Sequence, residues 1–490
     1  MIFNSISFLI FFLIFFFLYW FVFNKNLKLQ NLLILIGSYV FYAWASWKIL
    51  PILVISTLIF YKLGIAVFSA KSEKNKNLLT ALGVISGAGM LLYFKYTNFF
   101  ISSFKNLFES FGLQTNLHTF NIILPLGISF YTFRLLSYVI DINRGKYEPT
   151  CDIGGFSAYV AFFPCLLAGP IDRPNTLIPQ LQKKRGFDYD LAVDGCRQIL
   201  WGAFKKIVVA DNCATFVNDV FVSYQTYSGS TLLLGGAFYT FQLYADFSGY
   251  SDMAIGLGKL LGFKLTKNFN YPFFAQNIAD YWRRWHISLT SWLTDYVFMP
   301  LNIRWRDLGN WGTVMAVLIT FELIGLWHGA NWTFVVFGLY HGLLFIPLIL
   351  LGATFKKKKM ETNKLGLPTL KCFGKILLTF FLVTFGFIIF RSETIEQAVQ
   401  YMGGIFDKSL LNIPLLTNRE SLLIDREYYI PMFVNLCILI FTEWLQRDKE
   451  HGLQLDGIKS HIVKFGIYYI LIILILWFGK ESETFIYFQF

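Results

Sequence analysis

Ile324-Gly325-Leu326-Trp327-His328-Gly329-Ala330-Asn331-Trp332 separates two apolar runs, 312–328 and 331–352, each long enough to cross a bilayer. This stretch decides the fold class. Backbone polar groups in hydrocarbon must bond internally, and apolar runs of this length satisfy that as helices. The stretch also holds an imidazole, and a titratable group at such a depth is costly enough to need a reason. Histidine exchanges protons near neutral pH, so His328 points to chemistry within the membrane.

The rest of the chain has the same character. Its 490 residues are 56% hydrophobic, 19% aromatic and only 15% charged, far too apolar for a soluble protein of this size. Apolar runs of spanning length are read at 3–23, 30–47, 49–69, 78–96, 120–140, 229–247, 312–328, 331–352, 369–390, 428–446 and 463–479. With the ambiguous regions 154–171 and 196–222, this predicts an all-α polytopic protein of roughly 11–13 transmembrane or re-entrant helices in one domain, 1–490. The first run has no basic segment before it and no small-residue cleavage site after it. It is expected to remain as a helix rather than be removed as a signal peptide.

The net charge of +12 lies in clusters between runs: Lys25 and Lys28, Lys71 to Lys76, Arg144 and Lys146, Lys183 to Arg185, and Lys356 to Lys359. Loops of this kind face the cytoplasm and anionic lipid, so nucleic acid is not expected as a partner. The resulting count places the 480–490 tail on the outer face. Phe156 to Ile171 is interrupted by Pro164, Gly169 and Pro170 and flanked by two basic loops, so it is expected to be re-entrant. Lys205 and Lys206 interrupt 196–222 and leave an interfacial helix and a span both open. Six scattered cysteines show no metal-ligand or disulfide spacing, and no metal is expected.

Of six histidines, His118, His451 and His461 fall in polar loops and are expected on the solvated surface. His341 is expected to make a helix-packing hydrogen bond. His286, within Tyr281-Trp282-Arg283-Arg284-Trp285-His286, is read as structural somewhat more readily than catalytic; for His328 the order is reversed. Arg134 and Asp246 are both out of place in apolar sequence, and mutual need predicts an ion pair between them. Arg283 and Arg284 suit a phosphorylated donor such as a coenzyme A, because guanidinium groups bind phosphate bidentately; interfacial snorkelling is the commoner role. Lys205, Lys206, Arg304 and Arg306 share that expected mouth. The rival class is a transporter, resting on Arg134, Asp246 and the broken 156–171 segment, although no inverted repeat is visible.

Five blocks together resemble the membrane-bound O-acyltransferase family, in particular its bacterial branch acting on envelope polysaccharides: 126–133, 167–171, 244–252 (Tyr-Ala-Asp-Phe-Ser-Gly-Tyr-Ser-Asp), 281–286 and 326–329 (Leu-Trp-His-Gly). The resemblance implies a central funnel, with the motif-bearing core at about 121–352. It implies His328 as the catalytic histidine and His286 as a second one. It also implies acetyl-CoA as co-substrate with no bound cofactor, a periplasmic SGNH-type acetyltransferase partner, and a place in the bacterial inner membrane. Peptidoglycan is the favoured acceptor; alginate and D-alanyl transfer from a carrier protein stay open. The tail Thr484-Phe485-Ile486-Tyr487-Phe488-Gln489-Phe490 resembles a terminal motif of this subgroup, whose tyrosine is proposed to carry the acyl group. An aromatic interface anchor is the equal alternative.

Overall fold

The computed structural model describes residues 1–354, 360–364, 366–414, 426–479 and 485–486. Within them the regular elements are helices, apart from one isolated bridge between Thr362 and Pro368. Six are long and apolar enough to cross a membrane: Trp47–Ser69, Glu73–Ser110, Asn310–His328, Trp332–Leu350, Leu370–Arg391 and His461–Phe478. Ile6–Val22, Leu27–Ala43 and Ile430–Leu445 are apolar but shorter. The protein is thus an all-α polytopic membrane protein.

Two expected boundaries moved. The run at 78–96 lies inside the longer helical stretch Glu73–Ser110, which a π-turn at Leu92–Tyr96 interrupts. The run at 120–140 becomes helical only from Ile128. Pro125 disfavours helical geometry in the residue before it, and Gly127 then takes a left-handed conformation at φ 69°. A Cβ there would sit 2.4 Å from the Leu166 carbonyl oxygen, so the entry to this helix requires glycine.

The chain forms two compact units. The first comprises Met1–Ile199 and Met253–Thr266, the second Leu200–Asp252 and Lys267–Phe490. In the first unit the apolar stretch around 156–171 is broken, as its prolines and glycine predict. Helix Ile153–Ala161 ends at Phe162, and a single turn, Phe163–Leu166, follows. Arg134 fills the break. Its Nη1 donates to the carbonyls of Tyr159 (3.3 Å) and Val160 (3.1 Å), and its Nη2 to those of Cys165 (3.1 Å) and Pro170 (3.2 Å). A helix broken in a dry interior leaves carbonyls without partners, and a fully buried guanidinium supplies them. Asp172 closes the segment by accepting from the backbone N–H and hydroxyl of Thr266 at 3.0 and 2.6 Å.

In the second unit, helices Asn310–His328 and Trp332–Leu350 pack through glycines. A Cβ on Gly325 would lie 2.1 Å from the Phe334 carbonyl oxygen, and one on Gly338 would lie 2.5 Å from that of Phe321. Small residues at such points let backbones approach closely where lipid supplies no hydrophobic drive. The helical stretch through 204–222 contains a wide π-turn, Phe204–Ala210, before Asp211–Val222.

Candidate functional site

His328 is the last residue of helix Asn310–His328. Gly329 turns the chain in extended conformation, and Asn331 caps the next helix by accepting from the Thr333 N–H at 3.1 Å. A Cβ on Gly329 would fall 1.9 Å from the Phe334 ring, so the turn after His328 is sterically closed to anything larger. The imidazole is 4% exposed. It is walled by the rings of Trp327 (centroids 5.0 Å), Phe390 (5.1 Å) and Phe337 (6.0 Å).

His286 comes to the same place by another route. It caps the short helix Ile287–Leu293 in a left-handed conformation, φ 44° and ψ 53°, costly for a residue with a Cβ and common at functional sites. The side chain of Asn268 secures it. The Asn268 Oδ1 lies 3.1 Å from His286 Nδ1 and accepts from the Ser288 N–H (3.2 Å) and hydroxyl (2.9 Å). The Asn268 amide donates to the Ser251 hydroxyl at 3.2 Å. His286 is fully buried, with Phe247 at 4.7 Å and the indole of Trp327 at 5.5 Å. Trp327 therefore packs against both histidines.

Among the other expected site residues, Arg283 and Arg284 lie one turn beyond Asp280 and share its carboxylate, at 3.6 and 3.2 Å. Arg283 also donates to the Thr354 carbonyl at 3.0 Å, and Arg284 to that of Asn270 at 3.4 Å. Arg283 lines a cavity of about 230 Å³ with Trp282, Thr320, Phe321 and Ile324, the last one turn before His328. His341 makes the packing bond expected of it, accepting from the Trp282 indole N–H at 3.2 Å.

The expected Arg134–Asp246 pair is replaced by two separate sets of partners. Arg134 donates to the four carbonyls described above, whereas Asp246 Oδ1 meets Lys206 Nζ at 2.7 Å. Lys206 also reaches Asp211 at 2.8 Å, and Lys205 reaches Asp252 at 2.5 Å. Both lysines are almost wholly buried, so they do not stand with Arg283 and Arg284 at a phosphate-binding mouth. Their signal in the sequence was a lysine pair set between the apolar residues Trp201 to Phe204 and Ile207 to Ala210. A second correction concerns His451, expected on the surface. It is 2% exposed and accepts from the Leu453 N–H at 3.3 Å, while the following Gly452 lies so close to Trp201 that a Cβ would come within 2.5 Å of the indole. His118 and His461 are exposed as expected. Tyr487 lies outside the described residues. Sequence reasoning missed Asn268 and Trp327; Trp327 at least was legible as the neighbour of His328.

Residues 150–365 match the model of the MBOAT, membrane-bound O-acyltransferase family. The chain is 38% identical over 420 residues to the probable alginate O-acetylase AlgI of Pseudomonas aeruginosa, covering 83% of this chain and 76% of that protein. It is 30% identical over 510 residues to the peptidoglycan O-acetyltransferase of Helicobacter pylori, covering 95% and 92%. It is 32% identical over 284 residues to the teichoic acid D-alanyltransferase of Bacillus subtilis, covering 56% and 70%. The two histidines, brought to one aromatic wall from separate sequence blocks, both lie inside the matched region, and the chain belongs to the membrane-bound O-acyltransferase family.

Proposed function

We propose that the protein moves an acetyl group from cytoplasmic acetyl-CoA to an envelope polysaccharide, with a periplasmic SGNH-type transferase completing delivery. The observation that carries this reading is the seating of His328 and His286 against one indole, that of Trp327. His328 serves as general base. It takes the proton of the acceptor hydroxyl, the freed oxygen attacks the thioester carbonyl, and the carbon–sulfur bond breaks as the imidazolium returns its proton to the departing thiolate. His286, held through Nδ1 by Asn268, supports that centre through its contact with the indole. Arg283, at the wall of the 230 Å³ cavity, is the donor-side cation.

The first acceptor in this scheme is Tyr487 or a hydroxyl of the partner. A phenol, near pKa 10, gives up its proton more readily than an aliphatic hydroxyl does, and the aryl ester formed stays readily transferable. Peptidoglycan as final acceptor is favoured by the end-to-end match to the Helicobacter pylori enzyme. Alginate or another exopolysaccharide is favoured by the higher identity to the Pseudomonas aeruginosa protein. Intact-protein mass spectrometry after incubation with labelled acetyl-CoA tests the chemistry. A label on the wild type that is absent from His328→Ala and Tyr487→Phe supports donor, base and relay together. An intact thioester and no label would replace acetyl-CoA by a carrier-protein donor. Comparing acetylation of peptidoglycan and exopolysaccharide in a deletion strain separates the two acceptors.

A further inference from the structure

The buried Asp246 has a second oxygen, and that oxygen holds the C-terminal tail. Its Oδ2 accepts from the Ile486 backbone N–H at 2.9 Å, while Oδ1 meets Lys206 at 2.7 Å. Phe485 is 1% exposed and Ile486 8%. The Phe485 ring stacks on Tyr250 with centroids 4.8 Å apart and an interplanar angle of 26°, and it meets Phe247 at 6.0 Å. Phe247 is the ring that packs against His286 at 4.7 Å. One side chain therefore separates the held tail from the histidine centre.

We propose that Asp246, fixed by Lys206, is a positioning residue that latches the C-terminal tail beside His286, with the Tyr250–Phe247 surface as the seat for Phe485. A carboxylate gripping a main-chain N–H acts without regard to the side chain at 486, while the aromatic seat selects the residue before it. Lys206 also meets Asp211, at 2.8 Å, so one ammonium ties Asp246 to a carboxylate of a second helix and fixes its orientation toward the tail. The latch gives the proposed relay its acceptor-side geometry. To that extent it rests on the reading above, but the hold itself needs no acyl chemistry.

Hydrogen exchange on the purified full-length protein, without donor, tests the hold. In the wild type the Ile486 amide is expected to exchange at least 100-fold more slowly than in an unstructured chain. Asp246→Asn should quicken it at least tenfold. Because that change touches the ion-paired interior, Ile486→Pro provides the control. It leaves those ion pairs intact while removing the N–H that Asp246 grips, together with the Ile486 side chain and some freedom at Phe485, and should quicken exchange of the Phe485 amide tenfold with the melting temperature unmoved. With acetyl-CoA as donor, Ile486→Pro should lower kcat about tenfold while KM for the donor stays within twofold, a split that general destabilisation would not produce. An Ile486 amide exchanging at the unstructured rate in the wild type overturns the latch, as do two variants that leave the exchange unchanged. A protected amide without any label on Tyr487 would keep the latch and discard the relay.

Discussion

The Arg134 site in the first unit and the His286–Trp327–His328 site in the second both bury titratable side chains in apolar surroundings, yet they are built in opposite ways. Around Arg134 the main chain comes to the charge: four carbonyls exposed by a helix break receive two guanidinium nitrogens. Around the histidines aromatic faces do the enclosing, and the backbone of His286 is held in a costly left-handed turn. A buried cation bonded to carbonyls that nothing else supplies is a structural device. Imidazoles seated against rings, one of them on a strained backbone, carry no such carbonyl debt, and the proposed proton transfer is assigned to them.

That contrast can be broken experimentally. His328→Ala should lower acyl transfer by about 10²–10⁴-fold, the range of general base catalysis, with detergent melting temperature near that of the wild type; a variant retaining most of its activity would return His328 to a packing role. Arg134→Ala should do the reverse. Stranding several buried carbonyls, at roughly 1–3 kcal/mol for each unsatisfied group, should collapse the yield of folded protein, while any folded fraction, quantified by size exclusion, keeps its turnover. Asn268→Ala releases His286 Nδ1 and the Ser288 contacts together, and should cost roughly tenfold in kcat with a modest loss of stability. An unchanged kcat would make His286 a packing residue.

The smallest expected effect lies at Lys267, in the segment between helices. Burial lowers its pKa to about 8, against the opposing pull of Asp252, Glu450 and Glu443. The unfolded chain keeps the lysine proton up to about pH 10.4, so between pH 8 and that point the unfolded state binds more protons and stability rises with pH. Urea denaturation across that window should show the wild type gaining on Lys267→Gln. A constant difference between the two would mean that Lys267 is not held in its buried position.

Much of this was legible in the sequence, because cost is legible. An imidazole in a spanning run, a broken apolar stretch with Pro164, Gly169 and Pro170, and a lysine pair inside 196–222 each violate what lipid tolerates, and each marked a place where the fold answers. Partnership was not legible. Arg134 and Asp246 were matched by need, but need has no direction: carbonyls freed by a break in one helix cannot be seen in the sequence, and Lys206 was placed with the cations of the expected mouth. Asn268 carries no hydropathy signal, although it organises the His286 turn. His451 misled for the opposite reason, since a polar loop folded against Trp201 reads like one in water.

The π-turn at Phe204–Ala210 has a consequence for how this interior is kept in phase. An α-helix advances about 100° per residue, so one residue more or fewer in that turn would swing helix Asp211–Val222 round by more than a quarter circle relative to Lys205 and Lys206. Asp211 would then leave Lys206, while Asp246, on a different helix, would not. The widened turn works as a vernier: it sets the angle at which two carboxylates from two helices converge on one ammonium, and a single-residue deletion there would be felt by the tail that Asp246 holds.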